Sequence, residues 1–94
     1  MALTKIPANL LDKSAHVDFA DNERLRLGTS NDLQIYHSSS GNSVIQESGS
    51  GNLLLLADEL NILNAANNET KAVFTTNGSV DLYYDGDKKL ETSS

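Results

Sequence analysis

Leu25-Arg26-Leu27-Gly28-Thr29-Ser30-Asn31-Asp32-Leu33-Gln34-Ile35 holds the pattern on which the fold turns: three alternating residues, a cluster of turn formers, then three alternating residues again. Alternation with a period of two places Leu25, Leu27, Leu33 and Ile35 on one face of extended backbone and Arg26 and Gln34 on the other. The intervening cluster is built from residue types that favour tight turns and leaves no room for a helix.

The same pattern runs outward in both directions. Apolar-rich runs occupy residues 17–19, 25–27, 33–36, 43–46, 53–57, 60–63, 72–74, 80–84 and 88–90, and the first eight begin on average nine residues apart. Val17-Asp18-Phe19 and Leu60-Asn61-Ile62 alternate as cleanly as the opening example. Short strands at this spacing predict an all-β chain. Turns are expected at 29–32, 38–42, 48–52, 64–69, 75–79 and 85–87. Gly41-Asn42, Gly51-Asn52, Asn77-Gly78 and Asp85-Gly86 supply residues that accept positive φ at the corners. Asp85-Gly86, between Tyr84 and Lys88, suits either a two-residue hairpin or the corner of a solenoid. Ser40-Gly41-Asn42-Ser43-Val44 and Gly49-Ser50-Gly51-Asn52-Leu53 form an internal repeat with a spacing of ten, each placing Gly-Asn just ahead of an apolar run.

Leu53, Leu54, Leu55 and Leu56 break the alternation, being apolar on both faces. A strand with two dry faces lies inside something, and the simplest expectation is an intersubunit core. Composition leads the same way. The 94 residues allow one domain at most, and with no cysteine there is neither a disulfide nor a thiolate metal site to reinforce short strands, which leaves association between chains. Ser, Thr, Asn, Gly and Asp supply 41 residues, yet Leu, Ile, Val and Phe supply 24, about a quarter of the chain, which is above the level of a disordered segment.

A net charge of −6, with Lys88-Lys89 as the only adjacent pair among seven scattered cations, argues against nucleic acid as a partner. The longest apolar stretch, 53–57, is far too short for a membrane span, so no membrane insertion is expected. The first fifteen residues lack the apolar core of a secretory signal. Residues 1–15 read as a separate non-β segment. Pro7 can open a single helical turn, with Ile6, Leu10 and Leu11 as its apolar contacts, and the segment serves either to cap the first strand or to attach the chain to a larger assembly. Residues 16–94 are then expected to hold the β-repeats.

No catalytic constellation is legible. His16 and His37 are the two histidines, and there is no Gly-x-Ser-x-Gly elbow. His37 would bind metal only as one of three copies on a symmetry axis, and Asp81, Asp85 and Asp87 read as acidic turn residues. Tyr83 stands where a calcium loop needs an oxygen ligand. The expectation is therefore no enzyme, no metal and no cofactor. Asn68-Glu69-Thr70 and Asn77-Gly78-Ser79 match the glycosylation pattern but read as turns. Tyr36, Tyr83 and Tyr84 are candidates for stacking on a glycan, set against core packing.

The stretch 25–37, then Gly51-Asn52-Leu53, and then Val80-Asp81-Leu82-Tyr83-Tyr84-Asp85-Gly86-Asp87-Lys88-Lys89-Leu90-Glu91-Thr92 resembles the repeated modules of tail-fibre and other virion structural proteins of marine bacteriophages, cyanophages included. Ala2-Leu3-Thr4-Lys5-Ile6-Pro7 with Leu10-Leu11-Asp12 resembles the N-termini of the same group. The resemblance implies, for residues 16–94, an elongated β-helix or β-solenoid shaft of short stacked strands, assembled as a homotrimer. It implies a stiff spacer between virion and receptor-binding tip, made in the host cytoplasm and located in the virion tail. Its partners would be further copies of itself and other tail proteins, with host-surface glycan reached through a larger fibre. The alternative is that the chain is itself a glycan-binding adhesin module.

Overall fold

Every hairpin turn of the chain closes on a small set of backbone conformations, and these turns determine which strands pair. The computed structural model describes residues 14–93. Ile6, Pro7, Leu10 and Leu11, expected to cap or attach, lie outside the described residues. Seven strands are present and no helix among the described residues: β1 Arg24–Leu27, β2 Leu33–His37, β3 Ser43–Glu47, β4 Glu59–Leu63, β5 Thr70–Thr75, β6 Val80–Tyr84 and β7 Asp87–Glu91. The chain is all-β. It divides into two units, Met1–Leu53 and Leu54–Ser94.

In the first unit β1, β2 and β3 pair in sequence order as an antiparallel meander, sheet A. Gly28 (φ 96) and Asn31 (φ 58) turn the chain between β1 and β2, and the Asn31 amide donates to the Gly28 carbonyl at 3.1 Å. The β2–β3 turn is closed by Ser38 N–H donating to the Asn42 carbonyl at 2.8 Å, with Gly41 at φ 103, where a side chain would strain the backbone. In the second unit β4, β5, β6 and β7 form a four-stranded antiparallel meander, sheet B. The loop between β4 and β5 folds around Asn64, whose side-chain oxygen accepts from the amides of Asn68 and Glu69, both at 3.0 Å.

The corner at Asp85-Gly86, open to two readings in the sequence, is a hairpin. Both residues have positive φ (52 and 82), as a two-residue turn with the right-handed strand twist demands, and Tyr84 pairs with Asp87 across it. All pairing among the described residues is antiparallel between consecutive strands, and neither unit shows a solenoid coil.

Seven of the nine apolar runs became strands, and two did not. Residues 17–19 are irregular and lead into a turn at Asp21-Asn22, where the Asn22 amide donates to the His37 carbonyl at 2.8 Å and its side chain accepts from the Ser39 amide at 3.1 Å. Residues 53–57 are not a strand either, because nothing among the described residues pairs with them. The corner before them also departs from expectation. Gly41 has the positive φ anticipated for a Gly-Asn corner, whereas neither Gly51 nor Asn52 does.

Candidate association surface

Register converts the alternation of single strands into continuous faces. In sheet A, Leu25 pairs with Ile35 and Ile35 with Ile45, so these three form one apolar row, and the pair Leu27 and Leu33 adds a second that ends on Glu47. The opposite face carries Arg24, Tyr36 and Val44 in one row and Arg26, Gln34 and Gln46 in the next. Polar groups on that face engage one another. Arg24 donates to the Gln34 side-chain oxygen at 2.8 Å while its guanidinium lies 3.8 Å over the centre of the Tyr36 ring.

Sheet B repeats the division. Leu60, Phe74 and Val80 form one apolar row, and Ile62, Ala72, Leu82 and Leu90 form another. Its other face carries Glu59, Asn61, Val73, Thr75, Asp81 and Glu91. A register shift between Leu82 and Tyr83 brings Lys88 onto this polar face, where its ammonium lies 3.5 Å from Asp81 and 3.3 Å from Glu91. The hydrogen bond to Glu91 is the main cause of a Lys88 pKa raised above its ordinary value. Asp81 also accepts from the Ser79 hydroxyl at 2.7 Å.

Neither apolar face is covered. Among the described residues only Ala72 and Asp81 are buried, each about 8% exposed, and no large side chain is fully enclosed. Ala72 is shielded because it is small and stands between Ile62 and Leu82 in its row. Ile45 remains 60% exposed, and Leu25, Leu27, Ile35, Ile62, Phe74, Leu82 and Leu90 are exposed with it. Phe19, from the irregular segment before β1, stands beside the first row and with Leu25, Ile35 and Ile45 lines an open groove of about 520 Å³, rimmed by His37 and Ser43. His37 Nδ1 lies 2.9 Å from the Ser43 hydroxyl. A sheet with one dry face needs a second layer to cover it, and among the described residues of each unit there is none.

The residues singled out in the sequence fall in different places. Leu53, Leu54, Leu55 and Leu56 are 45–88% exposed and lie outside any strand, with no partner strand among the described residues. Tyr36 has one ring face under Arg24. Tyr83 is half-buried, and Tyr84, adjacent in the same strand and so on the opposite face, is 73% exposed beside the hairpin tip. Alternation flagged Leu25, Ile35 and Ile45 singly. Their union into one row depends on hairpin register, which loop length and turn geometry set.

No family model, curated protein or solved structure matches the chain.

Proposed function

We propose that the chain is a non-enzymatic structural segment of a phage tail fibre, a stiff homotrimeric spacer that carries a receptor-binding part away from the virion. The observation that carries this reading is a pair of single-layer meanders, each with a continuous apolar face open to solvent. Large apolar rows cost on the order of 1.5–3 kcal/mol per exposed side chain relative to burial, so covering them drives association. Copies of the same chain are the fitting cover, because the rows are apolar apart from Glu47, which pairs with Leu33 at the end of the second row of sheet A. On this account, the β-helix or β-solenoid shaft implied by the resemblance is completed between chains rather than within one. The polar groups support a mechanical role: Lys88 with Asp81 and Glu91, and Arg24 with Gln34 and Tyr36, satisfy one another instead of converging on a cleft.

The part is made in the host cytoplasm and built into the virion tail, where it meets other tail proteins and reaches host glycan only through the larger fibre. Gold-labelled antibody against the purified chain, applied to phage particles that carry it, tests the placement. Label along tail fibres is expected, and label confined to the capsid would overturn the reading.

Tyr84, exposed beside Asp85 and Asp87, favours a second reading as a glycan-binding adhesin module. A glycan array separates the two. The spacer gives no saturable signal, whereas saturable binding lost in Tyr84→Ala would establish the adhesin.

A further inference from the structure

We infer that residues 53–57 are a strand donated to the free edge of β3 in a second copy of the chain, which gives sheet A its fourth strand. The inference rests on the self-associating reading above and specifies how one of its contacts is made.

Three observations carry it. First, no backbone N–H or C=O from Leu53 to Ala57 makes a hydrogen bond among the described residues, although the segment is apolar throughout. A segment with unused backbone donors and acceptors is the material of strand addition. Second, the free sheet edges are not equivalent. β7 carries Lys88 and Lys89 and a register shift, β4 has a register shift between Ile62 and Leu63, and β1 is four residues long with Arg24 and Arg26. Cations, bulges and shortness are the devices that keep an edge from pairing. β3, Ser43-Val44-Ile45-Gln46-Glu47, has no cation and no bulge, carries its one charge at its last residue, and pairs with β2 in unbroken register over its whole length. Third, acceptor and donor match. Both are five residues long, and alternate leucines of an added strand would extend the row Leu25, Ile35, Ile45 on one face and the row of Tyr36 and Val44 on the other. This sets each side of the leucine run beside a row of the same sheet, which a contact through side chains of one face would not.

Amide hydrogen exchange on the intact protein, run beside light scattering on the same sample, tests the inference without altering the chain. The expected result is a multimer in which the amides of Leu54, Leu55, Leu56 and Ala57 exchange at least about 100-fold more slowly than free chain, together with the β3 amides that face away from β2. Protection should vanish on dilution to monomer. A protein that is monomeric throughout removes the self-associating reading and this inference together. A multimer whose 54–57 amides exchange at the free rate leaves the first standing and overturns the second, as does protection of 54–57 without β3, or protection that persists in the monomer. Leu55→Pro, which deletes one donor, is expected to weaken assembly at least tenfold, whereas Leu55→Ile is expected to leave it unchanged. Equal behaviour of the two variants would also contradict strand addition.

Discussion

Residues 41–47 and 51–57 start alike, with Gly-Asn leading into an apolar run, and finish differently: the first pair of residues opens β3, and the second opens a stretch that pairs with nothing among the described residues. The leucine run is the more apolar of the two, so hydrophobicity did not decide the outcome. The corner did. Gly41 adopts φ 103 within a turn closed by Ser38 and Asn42, which sends β3 back along β2. Ahead of Leu53 the glycines stay outside the positive-φ region, and the Ser48 amide instead donates to the Asp32 carbonyl at 2.8 Å. A repeat in sequence becomes a repeat in pairing only where the backbone at the corner has the hand that a hairpin requires.

The sharpest way to break this comparison is to charge the face that β3 helps to build. Ile45→Asp places a carboxylate in the middle of the apolar row and is expected to destabilise the assembled protein by about 3 kcal/mol or more, while Gln46→Asp, on the opposite face, changes stability by less than about 0.5 kcal/mol. Denaturant unfolding at fixed protein concentration reads both. Equal effects would mean that the two faces are equally wet in the assembly.

The corners themselves come next. A Cβ at Gly41 meets no atom within 4 Å, so Gly41→Val acts through backbone strain alone and should cost about 1–3 kcal/mol. Gly51→Val, with only the Glu47 carboxylate 3.9 Å away and no positive φ, should lie within about 0.5 kcal/mol of the parent. Matching melting temperatures for the two variants would remove the explanation of why the repeats diverge.

Asn64 marks a corner held by a side chain rather than by glycine. Asn64→Ala strips the acceptor from two backbone amides and is expected to cost about 1 kcal/mol in the same unfolding assay. The smallest effect is assigned to Lys88, whose ammonium is solvent-exposed. Its pKa is raised by Glu91 and Asp81, so its contribution is fully present below the ordinary lysine value of 10.5 and fades as pH climbs through the raised value. Stability of Lys88→Met relative to the parent should therefore be flat from pH 7 to about 10 and converge with it only above that range. A difference that disappears near neutrality would assign the effect to another group.

The strands were legible because each carries its own alternation: 25–27, 33–36 and 60–63 show which side chains share a face before any pairing is known. The turns were legible as well, since Asp85-Gly86 and Asn77-Gly78 are residue types that tolerate positive φ. The outcome at 53–57 was not, because four leucines are compatible with any extended or buried state and the choice rested on backbone geometry at residues 48–52. At 17–19 the alternation is as clean as in β1, but Asn22 bonds the chain to His37 and Ser39 and turns the segment away from the ladder. The association surface was half legible. Its members follow from alternation, its rows from register, and the uncovered state of both faces only from having the two meanders in view.

The central claim is that these faces are covered by copies of the same chain. Thermal unfolding across a hundredfold range of protein concentration tests it most directly, because a folded homotrimer in equilibrium with unfolded chains must melt higher as concentration rises. The account predicts a midpoint that climbs steadily over that range, with the steepness of a three-chain equilibrium. A single cooperative transition whose midpoint does not move with concentration would show that one chain folds on its own, and would contradict it.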